Sequence, residues 1–193
     1  MIKSDAWKAA WQQCYDYFGL ANSEFDLEIA SLRLAFYLAS FGMFRGSGKT
    51  RQLQLVDFAE LSVVAREYAY LRGAKPKILA KQQSEVEGLL EALRKKITSL
   101  DASPTDTLVT KIALATTGCV PGYDRFVVKA LRYHGLTGRP SIKGLAELYA
   151  LRKEDLARFD AVYEETTPFM RSLDVGLMEQ GIALEKKGKL KIR

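Results

Sequence analysis

The feature of this sequence that most constrains its fold is the spacing of its apolar residues, which recur every three or four positions through almost the whole chain. Trp7, Trp11, Cys14 and Phe18 give the first example, and Gly19 stands where a helix C-terminal cap would fall. No segment alternates with a period of two for long enough to indicate a strand. The pattern therefore predicts an all-α protein.

Glycine and proline signals divide the chain into about eight or nine predicted helices. Residues 26–44 are apolar nearly all round, which is typical of a helix surrounded by others, so we expect this segment to be the central helix. A third predicted helix ends at residue 72. The later predicted helices cover 78–100, 104–117, 123–134 and 168–186, and two shorter ones lie within 142–165. We expect a single compact domain over residues 1–184 and a basic C-terminal tail over 185–193.

Composition excludes several classes of protein. The chain has 193 residues, of which 48% are hydrophobic, so it can bury a core without disulfides and is not disordered. With Cys14, Cys119 and a single histidine, His134, we expect no metal site and no cofactor. The longest apolar stretch, residues 34–44, is well short of the ~20 residues that a membrane span needs. No signal peptide is evident, so we expect a cytoplasmic protein without membrane contact.

The positive charge is unevenly distributed along the chain. The net charge is +6, and between positions 107 and 143 there are six basic residues and one acid. Arg125, Lys129 and Arg132 are spaced by four and three positions, so they share one face of a predicted helix. This pattern is typical of a helix that binds a nucleic-acid backbone, and a merely solvated helix face is the alternative.

The loop Arg45-Gly46-Ser47-Gly48-Lys49-Thr50 looks at first like a phosphate-binding loop of a nucleotide hydrolase. The spacing is wrong, because that motif needs a glycine five positions before Gly48, where Met43 stands. A glycine-rich connection between helices is the simplest interpretation. A third possibility is that this loop holds a phosphate at a helix start without hydrolysing anything, through Arg45, Lys49, Arg51 and exposed N–H groups, with Gly46 and Ser47 as further binding residues.

Arg33 lies within the most apolar predicted helix, where a guanidinium has to be paired or has to reach a wet pocket. An ion pair with an acid such as Asp124 or Asp174 is one interpretation, and an arginine that holds an anion is the other.

Asp124 stands in the first turn of a predicted helix, where a carboxylate acts as a capping residue. A catalytic role is the alternative, with Lys111 beside it and Tyr123 as a binding residue. A carboxylate among basic residues has a lowered pKa, which suits an electrostatic or nucleophilic role better than that of a general acid.

Three segments resemble the signature blocks of an uncharacterised family of bacterial helical proteins: residues 34–47, 116–126 and 168–174. The resemblance implies a helical fold and marks these positions, but it names no reaction. In that family the loop after Arg-Gly-Ser usually continues with apolar residues, and Gly48-Lys49-Thr50 departs from this pattern.

A second segment resembles the part of helix-hairpin-helix DNA glycosylases that carries their catalytic aspartate. The matching residues are Lys111, Pro121, Asp124 and Arg125. This resemblance implies a catalytic role for Asp124, but the glycine-rich hairpin that grips the phosphate backbone in those enzymes is not evident here.

Three hypotheses about function follow. The first is a domain that binds an anionic partner, DNA or RNA, through the Arg45 loop and the Lys111–Arg132 face. The second is an enzyme that acts on a nucleic-acid base or another anionic substrate, with Asp124 and Lys111 in a pocket where Arg33, Arg45 and Asp124 converge. The third is a helical subunit that docks a partner protein or a second copy of itself, with the two N-terminal tryptophans in the contact.

Overall fold

Helices form the whole regular structure of residues 6–44 and 53–190, which are the residues that this computed structural model describes. Within these ranges the protein is a single all-α domain without strands, as the sequence predicts. The α-helices are α1 (Ala6–Phe18), α2 (Leu27–Ser40), α3 (Leu55–Glu67), α4 (Pro76–Leu79), α5 (Gln83–Ser99), α6 (Asp106–Thr116), α7 (Arg125–Tyr133), α8 (Ile142–Tyr149) and α9 (Phe169–Leu190). Short 3-10 helices cover Ala69–Leu71 and Lys153–Phe159.

The central helix is α6. Every residue from Leu108 to Thr116 is buried, and α6 contacts α1, α2, α3 and α5. Thr105 begins the helix as its N-cap, because its hydroxyl accepts a hydrogen bond from the Leu108 N–H at 3.2 Å. A helix enclosed in this way can bury a charged side chain only if other helices supply its partners.

Helix α2 packs against α1 and α3 but is not enclosed, so the prediction of a central helix over 26–44 is wrong. Its inner face is buried through residues such as Leu34 and Leu38. Its outer face exposes Ile29, Leu32 and Phe36 to solvent. An apolar residue pattern does not distinguish a helix covered by its own chain from a helix with one uncovered apolar face.

Helices α7 and α9 form the most extensive helix pair of the fold. They approach closely at Gly181, where a Cβ atom would lie only 2.1 Å from the carbonyl oxygen of Phe126. Helix α9 continues to Leu190, so residues 185–190 of the predicted tail are helical. Glu185 helps to hold this end, since its carboxylate lies 3.6 Å from the Arg125 guanidinium.

Candidate functional site

The turn that joins α6 to α7, residues 117–124, is buried almost throughout. Its backbone N–H and C=O groups form hydrogen bonds with side chains from distant parts of the chain. The Tyr149 hydroxyl donates to the Cys119 carbonyl at 3.0 Å, and the Gly122 N–H donates to Oδ1 of Asp174 at 2.8 Å. Because buried backbone groups are costly to leave unpaired, these contacts fix the turn in one conformation.

Asp124 leaves this turn as the N-cap of α7. Its Oδ1 accepts hydrogen bonds from the N–H groups of Phe126 and Val127, at 2.9 and 3.0 Å. Its Oδ2 lies 3.1 Å from Nζ of Lys111. The capping role that the sequence predicts is therefore confirmed, and the same carboxylate also forms an ion pair inside the protein.

Lys111 is completely buried, so it cannot belong to an exposed basic face, and the part of the Lys111–Arg132 prediction that places it there is wrong. Its Nζ lies 3.6 Å from Oδ1 of Asp174 and 4.2 Å from the centre of the Phe41 ring. The side chain passes directly over Gly122, where a Cβ atom would lie 2.5 Å from the lysine Cδ. Glycine at position 122 therefore makes room for the buried lysine.

Arg171 is the second buried cation of this region. Its Nη1 donates to Oδ2 of Asp174 at 2.7 Å, one turn further along α9. The guanidinium also lies between two indole rings, with its Cζ 4.8 Å from the ring centre of Trp7 and 4.7 Å from that of Trp11. Aromatic faces attract a guanidinium, so this arrangement holds Arg171 in one orientation.

Lys111, Asp124, Arg171 and Asp174 together form what we call the buried charge cluster. Its two cations and two carboxylates balance, so the cluster carries no net charge. The Coulomb attraction within it offsets the cost of removing four charges from water, and loss of one member would leave an uncompensated buried charge. The cluster joins α6, α7 and α9 and contacts the tryptophans of α1.

Tyr37 lies within the electrostatic range of this cluster. Burial raises the pKa of its hydroxyl well above the ordinary value; the Arg171 charge acts in the opposite direction, and the Asp174 charge raises the pKa further. Its hydroxyl has no hydrogen-bond partner among the described residues. Tyr37 is therefore a neutral phenol near neutral pH.

Arg33 does not join the cluster, and neither of the acids predicted as its partner contacts it. Its Nη1 donates to the Gln13 carbonyl at 3.2 Å, and its Cζ lies 4.9 Å from the centre of the Tyr17 ring. The expected ion pair with Asp124 or Asp174 is wrong, because those carboxylates pair with Lys111 and Arg171 and the Arg33 side chain lies against α1.

The other predicted site residues are divided between interior and surface. Tyr123 is buried, and burial raises the pKa of its hydroxyl well above the ordinary value, so it is not exposed to a ligand. Arg45, Gly46 and Ser47 lie outside the described residues. Lys111 and Asp124 are in direct contact.

Arg125, Lys129 and Arg132 are all exposed on one side of α7, and we call them the α7 basic stripe. The opposite side of the helix is buried through Val127, Ala130 and Leu131. Arg125 contacts Glu185 loosely, at 3.6 Å. Within the described ranges, Lys129 and Arg132 form no ion pair.

Reasoning from the sequence missed Arg171 as a site residue and placed Asp174 only as a possible partner of Arg33. The signal for both lay in α9, where an arginine and an aspartate three positions apart interrupt an apolar run. Such an i,i+3 pair within a buried helical segment indicates an internal ion pair. The pairing of Asp174 with Lys111 has no signal in the sequence, because it depends on how α9 packs against α7.

Comparison of the chain with protein-family models, curated proteins and solved structures gave no match. None of the described helices combines the length and the apolar character that crossing a lipid bilayer requires. Among the described residues, no three His, Cys, Asp or Glu side chains are grouped so that they could hold a metal ion. The residues of the site are therefore the basis for any proposal about function.

Proposed function

We propose that the protein binds an anionic polymer, DNA or RNA, through the α7 basic stripe. The observation that carries this proposal is the exposure of Arg125, Lys129 and Arg132 on one side of α7, with a single loose carboxylate contact at one end. Exposed cations that neutralise backbone phosphates release condensed counterions, which is the main source of affinity in sequence-independent binding.

The dimensions of the stripe suit a phosphate backbone. Seven helical positions separate Arg125 from Arg132, which corresponds to roughly 10 Å along the helix axis. The phosphates of one DNA strand recur about every 3.4 Å along the duplex axis, so a stripe of this length spans about three of them. Three cations facing about three phosphates would give non-specific binding that weakens strongly as salt is added.

The buried charge cluster supports the stripe indirectly. Asp124 caps the first turn of α7 and is itself fixed by Lys111, so the N-terminus of the helix has a defined position. A helix fixed in this way presents its exposed side chains without losing backbone freedom on binding. In this proposal Lys111 is a positioning residue and does not contact the nucleic acid.

The test is titration of a fluorescent DNA duplex and a single-stranded RNA with the full chain at several salt concentrations. Reversing the stripe, with Arg125→Glu, Lys129→Glu and Arg132→Glu together, should abolish binding. The matched control reverses three exposed lysines elsewhere, Lys77, Lys81 and Lys95, and changes the net charge by the same amount. Equal loss of affinity in the two variants, or no detectable binding of the unmodified chain at low salt, would contradict the proposal.

The contact between Lys111 and Asp124 favours a second candidate, an enzyme that acts on a nucleic-acid base. A carboxylate can stabilise a cationic transition state at a sugar carbon, and Lys111 holds the Asp124 carboxylate in place. This candidate requires the region over Lys111 to open, because the amine is completely buried.

The test of the second candidate uses duplexes that each carry one modified base. Base release, detected as strand breakage in alkali, should occur with the unmodified chain and be lost in Asp124→Asn. Asp106→Asn, at the exposed first position of α6, is the control. If the unmodified chain releases no base from any of the duplexes, the proposal of an enzyme acting on bases is wrong.

A further inference from the structure

The outer side of α2 carries an apolar stripe that is exposed in the described part of the chain. Ile29, Leu32 and Phe36 are 43%, 51% and 64% exposed, and we call them the α2 stripe. Together with Ala10 and Gln13 of α1 they line a shallow groove of about 270 Å³. The helix buries its core residues on the opposite side, so these three side chains contribute little to folding and are available for contact with another molecule.

The spacing of the α2 stripe is that of a coiled-coil seam. Intervals of three and four residues place the side chains at successive a, d and a positions of a heptad. A single exposed apolar residue is ordinary on a protein surface, whereas three along one seam form a short apolar strip of the kind against which a second helix can pack. The two N-terminal tryptophans do not form such a surface, because Trp11 is buried and Trp7 packs against Phe41.

The charges beside the α2 stripe indicate which kind of helix would pack against it. Glu28 and Arg33 flank the seam on opposite sides, and Glu28 precedes Arg33 by five positions. Neither side chain forms an ion pair with any residue in the described part of the chain. In a parallel helix pair related by a two-fold axis, a residue at g faces the residue five positions later, at e, on the partner helix.

We propose that two copies of this chain associate through their α2 helices, packed in parallel and in register along Ile29, Leu32 and Phe36. Glu28 of each copy then faces Arg33 of the other, so the contact has two complementary ion pairs and is closed by symmetry. In an antiparallel pair, g positions lie beside g positions and e positions beside e positions, so Glu28 would not face Arg33 of the other copy. A seam of three apolar residues is small, so the dimer is weak and depends on concentration.

This interface is separate from the α7 basic stripe, so the two proposals are tested independently. Sedimentation of the full chain over a range of concentrations should show a reversible monomer–dimer equilibrium. Leu32→Glu and Phe36→Glu should each give a monomer. Val162→Glu, which changes an apolar residue that is 79% exposed and lies away from α2, is the matched control and should leave the equilibrium unchanged.

A charge swap tests whether the partner is a second copy in the proposed orientation. Glu28→Arg alone and Arg33→Glu alone should each raise the dissociation constant about tenfold, because each places like charges opposite one another. The double variant, Glu28→Arg with Arg33→Glu, should restore the original affinity. Equal weakening in the double variant would overturn the assigned pairing.

Cross-linking tests the orientation directly. In the parallel dimer, the cysteine of Ile29→Cys should form a disulfide with the same position of the second chain, and so should the cysteine of Phe36→Cys. The native Cys14 and Cys119 are buried and do not interfere. In an antiparallel dimer only a mixture of the two variants would cross-link. A chain that remains monomeric at every concentration would overturn the proposal, even if the α7 basic stripe binds nucleic acid as expected.

Discussion

The Nζ atom of Lys111 lies 3.1 Å from Oδ2 of Asp124 and fixes the middle of α6 against the N-terminus of α7. Asp174 lies 3.6 Å from the same amine and brings α9 to the same point. One buried amine therefore determines the relative position of three helices. Since the α7 basic stripe begins at the next residue, Arg125, the interior charges determine how the surface charges are presented.

Replacing Lys111 by methionine should strongly destabilise the fold. The substitution keeps the approximate length of the side chain, but it removes the cation that pairs with Asp124 and leaves Asp174 with Arg171. Breaking a buried ion network in this way costs about 3–5 kcal/mol in the free energy of unfolding. Urea denaturation followed by circular dichroism measures this loss, and the exposed Lys129→Met is the control, with an expected change within about 0.5 kcal/mol. Similar midpoints for the two variants would show that the cluster contributes little to stability.

The two roles of Asp124 can be separated by comparing asparagine and alanine at this position. Asparagine is as good an N-cap as aspartate, whereas alanine removes the cap and costs about 1 kcal/mol more. In the Lys111→Met background, Asp124→Asn should be stabilising, because it removes the carboxylate that has lost its partner. Denaturation midpoints of the single and double variants check this. Additive effects of Lys111→Met and Asp124→Asn would be inconsistent with a direct interaction.

Gly181→Ala should separate α7 from α9. The added Cβ atom would lie 2.1 Å from the Phe126 carbonyl oxygen and 2.5 Å from its carbon, and backbone atoms cannot move aside cheaply. We expect a loss of about 1–3 kcal/mol. Gly88→Ala in α5 is the matched control, since its Cβ would meet only side-chain atoms of Tyr68, the nearest being the hydroxyl at 3.3 Å, and the helix gains about 0.5–1 kcal/mol in propensity. Thermal denaturation of both variants measures this difference in stability. Equal melting temperatures would contradict the close approach of α7 and α9 at Gly181.

The sequence predicts the helices well, because their boundaries depend on local chemistry. Thr105 and Asp124 are N-caps in segments where cap residues precede apolar periodicity, and Gly118 ends α6 with a φ of +68°. The predicted 78–100 helix is divided into α4 and α5, because residues 80–82 form a turn between them. Whether a predicted helix is divided in this way depends on how it packs against other helices, and the sequence pattern does not show that packing.

The candidate site was predictable only in part. The sequence singles out Lys111 and Asp124, whose contact crosses a short buried turn. It does not show that Asp174, fifty positions after Asp124, completes their environment, because that contact requires α9 to pack on α7. It also misplaces Arg33, since an apolar pattern around the whole helix conceals which face of α2 is uncovered.

Both cysteines should be unreactive in the folded protein. Burial raises the pKa of the Cys119 thiol to about 12 and that of Cys14 well above its ordinary value, so neither forms the nucleophilic thiolate near neutral pH. A chromogenic disulfide reagent at pH 8 should label no thiol in the native chain and two per chain in denaturant. Rapid labelling of native Cys119 would show that the turn 117–124 opens to solvent.

The same burial makes stability depend on pH in the alkaline range. An unfolded cysteine loses its proton near pH 8.5, whereas folded Cys119 keeps it until about pH 12. Below pH 8.5 both states are protonated, and the thiol contributes no slope. Between these two values the unfolded state binds fewer protons, so the free energy of unfolding falls as pH rises, by up to about 1.4 kcal/mol per pH unit for each such thiol. Urea midpoints measured from pH 7 to 10 should therefore decline above pH 8.5. In Cys119→Ala the decline should be shallower, because Cys14 remains as the only buried thiol.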